Sequence, residues 1–553
     1  MGVLQVKDVR FSVNKSTRVG YGLAWALFVV VGLFLAIVCA VALITTVIYM
    51  DPTTESPRVL GLVSEMWLLP LFGLVGGLLV TAALRLVHKA AVGLPEWAML
   101  AGLLVVSTAF GLWWVLIQDV DTSRFGDSFR LLLYAKNAAN GDWGWFTQSA
   151  STSLVSQIPD DAHLYFLEYP FQAGVFCYFY VFYRFFGDLA VKALLVANVL
   201  ADEVAIACVY GIARLFGKDK DCGCGHAALI LLVLCVPLHL SAAFPYGNNV
   251  GLAFGALFLF LQCQAFARES LGARFVLILV SLVPLSLTLM IKSTFILFGI
   301  AAVIAWVISA IKDKKPGLAV ASLAVLMVSS SLSSIPVNLL ESKVGYSFGD
   351  GMPKTSWLVL GSSRSELTGA AGWWDAQAVE IFINSEGDSS IQFGLSLAGL
   401  RSNYSELLSD PMGAADFYVE KLATEWADPT FEFFFYAGMN AKDFDQFFDP
   451  YAALGTQPPA AVVVGFLDAV QTAVYLLALA GLLTFIKERD LFGPQLLLVA
   501  TFFSGFGCYL LWEAKGIYLL PFYVLLLPLA SKGLTAMGSI LWRELESGVS
   551  KSA

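Results

Sequence analysis

Residues 118–170 decide the fold: the stretch opens QDVDTSRFGDSFRLLLYAKNAANGDWGWF and closes DDAHLYFLEYP. It follows an apolar run that ends at Ile117, and a long series of further apolar runs comes after it. Its carboxylates are those of Asp119, Asp121, Asp127, Asp142, Asp160, Asp161 and Glu168. A polar segment of this length is rarely a passive connection between helices. We therefore expect a functional loop at the mouth of a membrane protein.

The whole chain has the composition of a membrane protein. Of its 553 residues, 58% are apolar and 14% are charged, whereas soluble domains have roughly 45–50% and 25%. Runs of about 20 apolar residues, each able to cross a hydrocarbon core of about 30 Å, recur along the sequence. The sequence thus predicts an all-α polytopic membrane protein. Its net charge of −9 gives no reason to expect a nucleic-acid partner.

Basic residues that flank the apolar runs predict the orientation of the chain. Residues 1–18 are basic and lack a cleavage site, so we expect a cytoplasmic tail rather than a signal peptide. About twelve spans follow, and both termini are expected in the cytoplasm. The predicted spans are approximately 20–50, 62–84, 97–117, 189–213, 226–244, 249–267, 273–290, 293–312, 317–338, 461–485, 491–511 and 516–538.

This topology divides the chain into four parts. They are 1–96, the tail and two N-terminal spans; 97–340, a transmembrane core with the external loop 118–188; 341–460, an extracytoplasmic helical region; and 461–553, the last spans and a cytoplasmic tail. Residues 171–186 are apolar, but a crossing there would put the later basic loops on the wrong side of the membrane. We expect them to form a juxtamembrane helix instead.

Three aspartates of the polar loop are candidates for a catalytic base, namely Asp119, Asp121 and Asp127. Asp127 opens DSFRLLLYAKNAANGDW, which has the apolar spacing of an amphipathic helix, and a helix N-terminus favours a negative charge. A base has to stay ionised within reach of the proton that it removes. The alternative is structural: Asp127 is only a helix cap, and the other two carboxylates are solvated at the end of a span.

Further polar residues interrupt apolar sequence at the same predicted face of the membrane. Lys292 lies within SLTLMIKSTFILFG, and an ionisable residue there is paired, snorkelling or functional. Contact with a lipid phosphate is the functional interpretation. Glu513 and Lys515 are candidates for an ion pair or for a phosphate contact. His239, Asn248 and Asn249 are candidates for binding sugar hydroxyls, although Asn also suits ordinary turns.

Other familiar motifs have little support. The tract Cys222-Gly-Cys224-Gly-His226 offers three ligands where a closed zinc site needs four, so we predict no metal centre there. The sequence contains no phosphate-binding Walker loop, no dinucleotide fingerprint and no HExxH motif.

Several segments, in this order, resemble the bacterial polyprenyl-phosphate-dependent glycosyltransferases of the GT-C fold, the family 39 relatives of the protein O-mannosyltransferases. The matching segments are Asp127-Ser-Phe-Arg with Ala135 and Gly141-Asp142-Trp143; Glu168-Tyr169-Pro170 through Phe186-Gly187; Lys292-Ser293-Thr294; Gly351-Met352-Pro353 with Trp357, Gly361 and Gly372-Trp373-Trp374; and Lys421 through Trp426-Ala427-Asp428-Pro429-Thr430. The resemblance covers most of the chain after about residue 97.

The resemblance implies a GT-C-like bundle and an inverting sugar transfer at the outer face of a bacterial plasma membrane. The donor would be a polyprenyl-phosphate sugar, the acceptor a glycan, glycolipid or protein, and membrane lipids would surround the bundle. Asp127 would be the base, with help from Asp119, Asp121 or Glu168. Lys292 and Lys515 would face the phosphate. The last motif of the family is an external turn that reads E-x-x-x-R-Y-x-x-P, and it corresponds here to Glu513 through Pro521, with Tyr518 at the Tyr position.

The sequence departs from that family in two places. The last motif has Ile517 where the family has Arg before Tyr518, so Lys515 replaces that phosphate contact or the contact is absent. The two N-terminal spans, about 20–84, lie outside the shared core and have no predicted role.

Alternatives stay open at this stage. No cofactor is predicted, with a divalent metal held by the loop carboxylates as the alternative. A transporter or flippase for lipid-linked or small polar substrates would place polar residues near the middle of the bilayer instead. A ligase acting on a lipid pyrophosphate would need more Arg on the outer loops.

Overall fold

The structure, a computed structural model, describes residues 15–49, 55–61, 69–120, 126–146, 162–216, 223–440 and 458–537. Apart from one short β-hairpin, its regular elements are helices. In the first half they are α1 Lys15–Ile44, β1 Thr45–Tyr49, β2 Pro57–Gly61, α2 Leu69–Ala91, α3 Glu96–Leu116, α4 Asp127–Ala139, α5 Ala162–Glu168, α6 Ala173–Phe186, α7 Ala190–Ala213, α8 Cys224–Val233, α9 Val236–Ser241, α10 Asn248–Ala267, α11 Leu271–Val280 and α12 Leu282–Ile291.

In the second half they are α13 Ile296–Asp313, α14 Gly317–Leu332, α15 Ile335–Val344, α16 Thr355–Leu360, α17 Gln377–Asn384, α18 Ser389–Ser409, α19 Pro411–Trp426, α20 Phe433–Asn440, α21 Pro458–Glu488, α22 Pro494–Tyr509 and α23 Leu520–Val524. Within the described residues, 10 helical segments are long and apolar enough to cross a membrane, the last of them Leu520–Met537. The predicted all-α polytopic membrane fold is confirmed.

Two predicted spans are shorter as helices than expected. The span predicted at 226–244 divides into α8 and α9, because the helix stops at Leu234 and restarts just before Pro237, which has no N–H to donate. The span predicted at 491–511 contains α22, which has only 16 residues. Helices α8 and α22 are both apolar helices of 10–17 residues.

The first span is shorter than predicted, because residues 45–49 form a strand. Helix α1 ends at Ile44, and TTVIY continues as β1, which pairs antiparallel with β2 from Thr45↔Gly61 to Tyr49↔Pro57. All five residues of TTVIY are β-branched or aromatic and therefore favour a strand. The prediction of a helix to residue 50 was wrong, because hydropathy alone does not distinguish a buried strand from the end of a helix.

The two ends of the bundle differ in their side chains. The end that carries the hairpin, called the hairpin end below, also holds the turns between α12 and α13 and between α22 and α23. At the opposite end, the Arg214 guanidinium lies 3.0 Å from the Glu96 carboxylate, and the Lys532 ammonium lies 3.0 Å from the Glu488 carboxylate. Lys312 lies there too, 4.1 Å above the ring of Phe492. We call this opposite end the basic end.

The segment 171–186 forms a separate helix that packs close to the site. Helix α6 is divided from α7 by a single turn at Gly187, where φ is +53°. It contacts α4, α12 and α15. Gly174 on α6 lies directly against the Met290 carbonyl near the end of α12, where any side chain would collide. That α6 lies in the membrane interface stays a prediction.

The region predicted as an external helical cap contains helices α16–α20. It is fastened to the turn after α22 by backbone and side-chain bonds. The Lys421 ammonium donates to the carbonyls of Gly361 and Trp512, at 2.6 Å each. The Ala514 N–H donates to the Gly372 carbonyl at 2.7 Å. These bonds fix the turn that carries Glu513 and Lys515.

Candidate functional site at the hairpin end

Asp127 is exposed at the start of α4. The preceding residue, Gly126, has a φ of +119°, a backbone conformation that residues with a side chain rarely adopt. The opposite face of α4 is buried, with Phe129 and Leu132 almost fully enclosed, so the helix is held firmly while its first carboxylate faces outward. The position of Asp127 at a helix N-terminus is one where negative charge is favoured.

Lys292 lies in the turn between α12 and α13. Its backbone is extended, with φ −141° and ψ 98°, which ends α12 and aims the side chain away from the helix. The ammonium lies 4.3 Å above the ring of Tyr246 and 5.1 Å from the centre of the Tyr518 ring. Within the described part of the chain, no carboxylate oxygen lies within 4.0 Å of the Lys292 ammonium, so none forms an ion pair with it. Lys292 is thus a cation held by aromatic rings.

The electrostatic surroundings of Lys292 link it to Asp127. Burial lowers the pKa of Lys292 to about 8, while the negative charges of Asp127 and Glu513 act in the opposite direction. Glu513 is only 5% exposed. Burial raises the pKa of Glu513 to about 7, and the positive charge of Lys515 opposes that rise. Asp127, Lys292, Glu513 and Lys515 therefore form one electrostatic cluster.

Lys515 has very different neighbours from Lys292. Its ammonium forms an ion pair with the carboxylate of Glu55, which lies between the two hairpin strands. The Tyr436 hydroxyl donates to the same carboxylate at 2.8 Å. Burial lowers the pKa of Lys515, but the attraction of Glu55 and Glu432 outweighs it and raises the pKa overall. Lys515 is therefore a firmly protonated cation that already has a counter-ion.

Glu432 reaches this pair from a strained turn. Phe431 and Glu432 have φ values of +49° and +67°, which residues with side chains seldom adopt in succession. The Asp428 carboxylate holds the turn: it accepts from the Glu432 N–H at 2.6 Å and from both the N–H and the hydroxyl of Thr430 at 2.8 Å. The Glu432 carboxylate accepts from the N–H of Gly516. Burial raises the pKa of Glu432 to about 8.

Glu168 lies at the end of α5, near Asp127. Its side chain is 5% exposed, and burial raises its pKa to about 8, although the positive charge of Arg130 opposes the rise. The negative charge of Asp127 adds to the same increase. The Glu168 carbonyl accepts from the Met352 N–H at 3.0 Å, which joins the polar loop to the external helical region.

The remaining predicted residues have other surroundings. Tyr518 belongs to the cluster through its ring contact with Lys292. Asp119 is exposed after α3, and Asp121 lies outside the described residues. The two ring nitrogens of His239 lie 3.2 Å from the Ser107 hydroxyl and 3.1 Å from the Leu232 carbonyl. A role of His239 in binding sugar stays a prediction.

The two asparagines are buried at the start of α10. The Asn249 side-chain amide donates to Asp202 at 2.8 Å and to the Ser241 hydroxyl at 2.6 Å. The side-chain oxygen of Asn248 is buried and has no partner among the described residues. The predicted contacts of both residues with sugar hydroxyls are untested.

Several residues of the cluster were not predicted from the sequence: Glu55, Arg130, Tyr246, Glu432 and Tyr436. Arg130 follows Asp127 by three residues, so both lie on one face of α4, which was a usable signal. Glu432 and Tyr436 follow the Trp-Ala-Asp-Pro-Thr segment closely. Glu55 had no local signal, because nothing in its neighbouring sequence indicates which cation it meets.

The cysteine and histidine tract lies at the basic end. His226 approaches the Glu96 carboxylate at 3.3 Å and the Leu94 carbonyl at 2.8 Å, while Cys222 lies outside the described residues. The described parts of the chain contain no group of three or more His, Cys, Asp or Glu side chains placed to hold a metal ion.

The fold and the charged cluster define a polytopic membrane protein with a polar site at one end of its bundle. No family model matches the chain, and no curated protein matches it. Among solved structures, it is similar to the archaeal oligosaccharyltransferase AglB from Archaeoglobus fulgidus, solved in complex with an inhibitory peptide and a dolichol-phosphate. The two are 12% identical, with a TM-score of 0.38. The match covers 81% of this chain and 52% of the archaeal protein, so this chain spans about half the length of the archaeal protein.

Proposed function

We propose that this protein transfers a sugar from a polyprenyl-phosphate donor to an acceptor hydroxyl at the hairpin end, on the extracytoplasmic side of the membrane. One observation carries the proposal. The exposed Asp127 at the start of α4 belongs to the same charged cluster as Lys292, whose ammonium lies over the rings of Tyr246 and Tyr518 and has no counter-ion among the described residues. A base and a phosphate-binding cation are the two charges that this transfer needs.

Lys292 is suited to the leaving group. During transfer, the bond between the sugar's anomeric carbon and the phosphate oxygen breaks, and negative charge develops on the phosphate. A cation fixed where that charge develops lowers the barrier, because it needs no reorganisation at the moment of reaction. The rings of Tyr246 and Tyr518 hold the ammonium in place, and no carboxylate among the described residues forms an ion pair with it.

Asp127 is suited to the acceptor. The acceptor oxygen forms a new bond to the anomeric carbon on the face opposite the phosphate, so the configuration inverts, and its proton passes to the Asp127 carboxylate. Asp119 and Asp121 would assist, and a divalent metal held by these carboxylates is the alternative. Glu168, with a pKa of about 8, keeps its proton at neutral pH and can donate a hydrogen bond to a sugar hydroxyl. Glu513 orients Lys515, the second lysine that faces the phosphate.

Replacing Asp127 tests the proposal directly. Asp127→Asn keeps the size of the side chain and removes its ability to accept a proton, so we expect sugar transfer to fall by about 10²–10⁴-fold. The measurement is transfer by purified protein from a set of polyprenyl-phosphate sugars. Asp188→Asn, at an exposed turn after α6, is the matched control and should transfer normally. Near-normal transfer by Asp127→Asn would remove Asp127 from the mechanism.

Transport of a polar or lipid-linked substrate is a second candidate, which one observation favours. Asp202 lies in the middle of α7, is 3% exposed, and accepts a hydrogen bond from Asn249 of α10. Ionisable residues inside membrane spans commonly mark transport pathways. Asp202→Asn separates the two functions: a transporter would lose substrate flux in sealed vesicles, whereas a transferase would keep its transfer activity.

A further inference from the structure

Lys515 is enclosed by groups from three distant parts of the chain. Its ammonium pairs with Glu55, at a separation of 460 residues in the sequence. Glu432, from the turn before α20, acts on the same charge. The ring of Trp373 lies 5.4 Å from the ammonium on another side. One cation thus faces two carboxylates, so any further anion has to compete with them.

Of the two carboxylates, Glu55 is the one that can be replaced. Glu432 is fully buried, and its strained backbone is held by Asp428 and by the N–H of Gly516. The side chains of Glu55 and Lys515 are 20% and 16% exposed, so their pair borders the open side of the cluster. A ligand that reaches Lys515 would meet Glu55 first.

The N-terminal hairpin determines where Glu55 lies. The ring of Tyr49, at the end of β1, packs 5.3 Å from the Phe435 ring and 6.4 Å from the Trp373 ring. The Tyr436 hydroxyl then bonds to the Glu55 carboxylate at 2.8 Å. The hairpin is therefore part of the wall of the site, although the first two spans had no predicted role.

We propose that Glu55 is a positioning residue of the donor site, the counter-ion of Lys515 until the phosphate of a lipid-linked donor takes its place. This inference rests on the proposed function. The exchange balances in charge, because a phosphodiester between a sugar and a polyprenol carries one negative charge, as the carboxylate does. Glu55 thus lowers donor affinity and keeps Lys515 in position while the site is empty.

Binding of polyprenyl phosphate tests the exchange. The full chain is placed in nanodiscs of neutral lipid, and the affinity for polyprenyl phosphate is measured with polyprenol as the uncharged control. Polyprenyl phosphate is a monoester with a charge of about −1.5 to −2 at pH 7, so it competes with Glu55 for Lys515 at least as strongly as the singly charged donor does. Glu55→Gln removes the competing charge and should tighten binding about threefold, the size expected for a partly exposed ion pair. Lys515→Gln should weaken binding, and Glu55→Gln combined with Lys515→Gln should match Lys515→Gln alone, because Glu55 acts through Lys515.

Glu488→Gln is the matched control. It breaks the ion pair with Lys532 at the basic end, where the two charged groups lie 3.0 Å apart, and should leave the affinity unchanged. Tyr436→Phe is a milder second variant: it keeps both charges but removes one bond that holds Glu55, so binding should tighten less than in Glu55→Gln. Thermal unfolding of each variant verifies that it is folded.

The results separate the inference from the proposed function. If the unmodified protein prefers polyprenyl phosphate to polyprenol, but Glu55→Gln and Tyr436→Phe bind it equally or more weakly, Glu55 is only structural and the inference is wrong. If the unmodified protein shows no preference for the phosphate, the proposed function and the inference are both wrong.

Discussion

Lys292 and Lys515 occupy equivalent places in the chain but have opposite surroundings. Each follows an apolar helix and precedes a single 3₁₀ turn at the hairpin end. Lys292 lies against the rings of Tyr246 and Tyr518, and burial lowers its pKa to about 8. Lys515 faces Glu55 and Glu432, whose attraction raises its pKa in spite of burial. The difference shows that the neighbours of a lysine decide whether it is available to an anion.

The two lysines divide the work of a phosphate site. A desolvated cation without a counter-ion is unfavourable in the empty protein, and binding an anion relieves that cost. A cation that is already paired gains much less, because the incoming anion has to replace a carboxylate. We therefore expect Lys292 to supply most of the binding energy for the phosphate. Lys515 should supply a smaller part and should also stabilise the turn in which it lies.

The largest difference should appear when each lysine is replaced by Gln. Lys292→Gln should lower kcat/KM for the donor by about 10²-fold, the size found when one group that stabilises a developing charge is removed. Lys515→Gln leaves Glu55 and Glu432 without a cation, so it should mainly lower the free energy of unfolding, by about 2 kcal/mol. Donor kinetics and thermal unfolding of both variants measure the two effects.

The comparison would fail if the order were reversed. A larger loss of kcat/KM in Lys515→Gln than in Lys292→Gln, with both variants equally stable, would make Lys515 the main phosphate ligand. Lys312→Gln at the basic end is the control, because that ammonium also lies over aromatic rings, those of Tyr21 and Phe492, but away from the cluster.

Much of the fold could be predicted from the sequence, because a bilayer requires apolar helices of nearly constant length. Lys292, Glu513 and Lys515 could be identified as candidates for the same reason, since charged residues at the ends of spans are conspicuous. Tyr518 was a candidate only through the motif that resembles the glycosyltransferase family. The hairpin could not be found from hydropathy, although TTVIY contains only strand-forming residues.

The partners of the two lysines could not be predicted. Glu55 lies 460 residues from Lys515, and Glu432 lies 84 residues from Gly516. No local pattern encodes such pairings, which depend on how the helices pack. The sequence therefore identifies the two lysines as candidates, and the tertiary structure distinguishes Lys292, which has no counter-ion among the described residues, from the paired Lys515.

The pH dependence of transfer should distinguish the lysines with a smaller effect. Transfer needs protonated Lys292, so kcat/KM should fall about tenfold for each pH unit above its pKa of about 8. The contribution of Lys292 to stability changes with pH in the opposite direction. Its pKa in the folded protein lies below the ordinary lysine value of 10.5, so the unfolded chain binds more protons from about pH 8 to 10.5, and stability rises with pH across that range. Lys515 stays protonated across this window, because its pKa is raised.

Lys292→Arg tests which group titrates. Arg remains charged throughout this range, so the alkaline fall should disappear even if the absolute rate is lower. Glu168 has a pKa of about 8 as well. A fall that persists unchanged in Lys292→Arg would belong to a carboxyl group such as Glu168 or Glu432, whose pKa is also about 8, and Lys292 would then not be the group that controls the profile.

The smallest expected effect concerns the ring of Tyr518, which lies against Lys292. Tyr518→Ala removes the ring 5.1 Å from the ammonium, so Lys292 loses part of its support and the donor KM should rise about threefold to tenfold. Tyr518→Phe keeps a ring in the same place and should bind the donor normally. Donor kinetics of both variants show whether the ring or the hydroxyl of Tyr518 matters. An equal rise in KM in Tyr518→Phe and Tyr518→Ala would mean that the hydroxyl binds the substrate. The aromatic contact that supports Lys292 would then be the one with Tyr246.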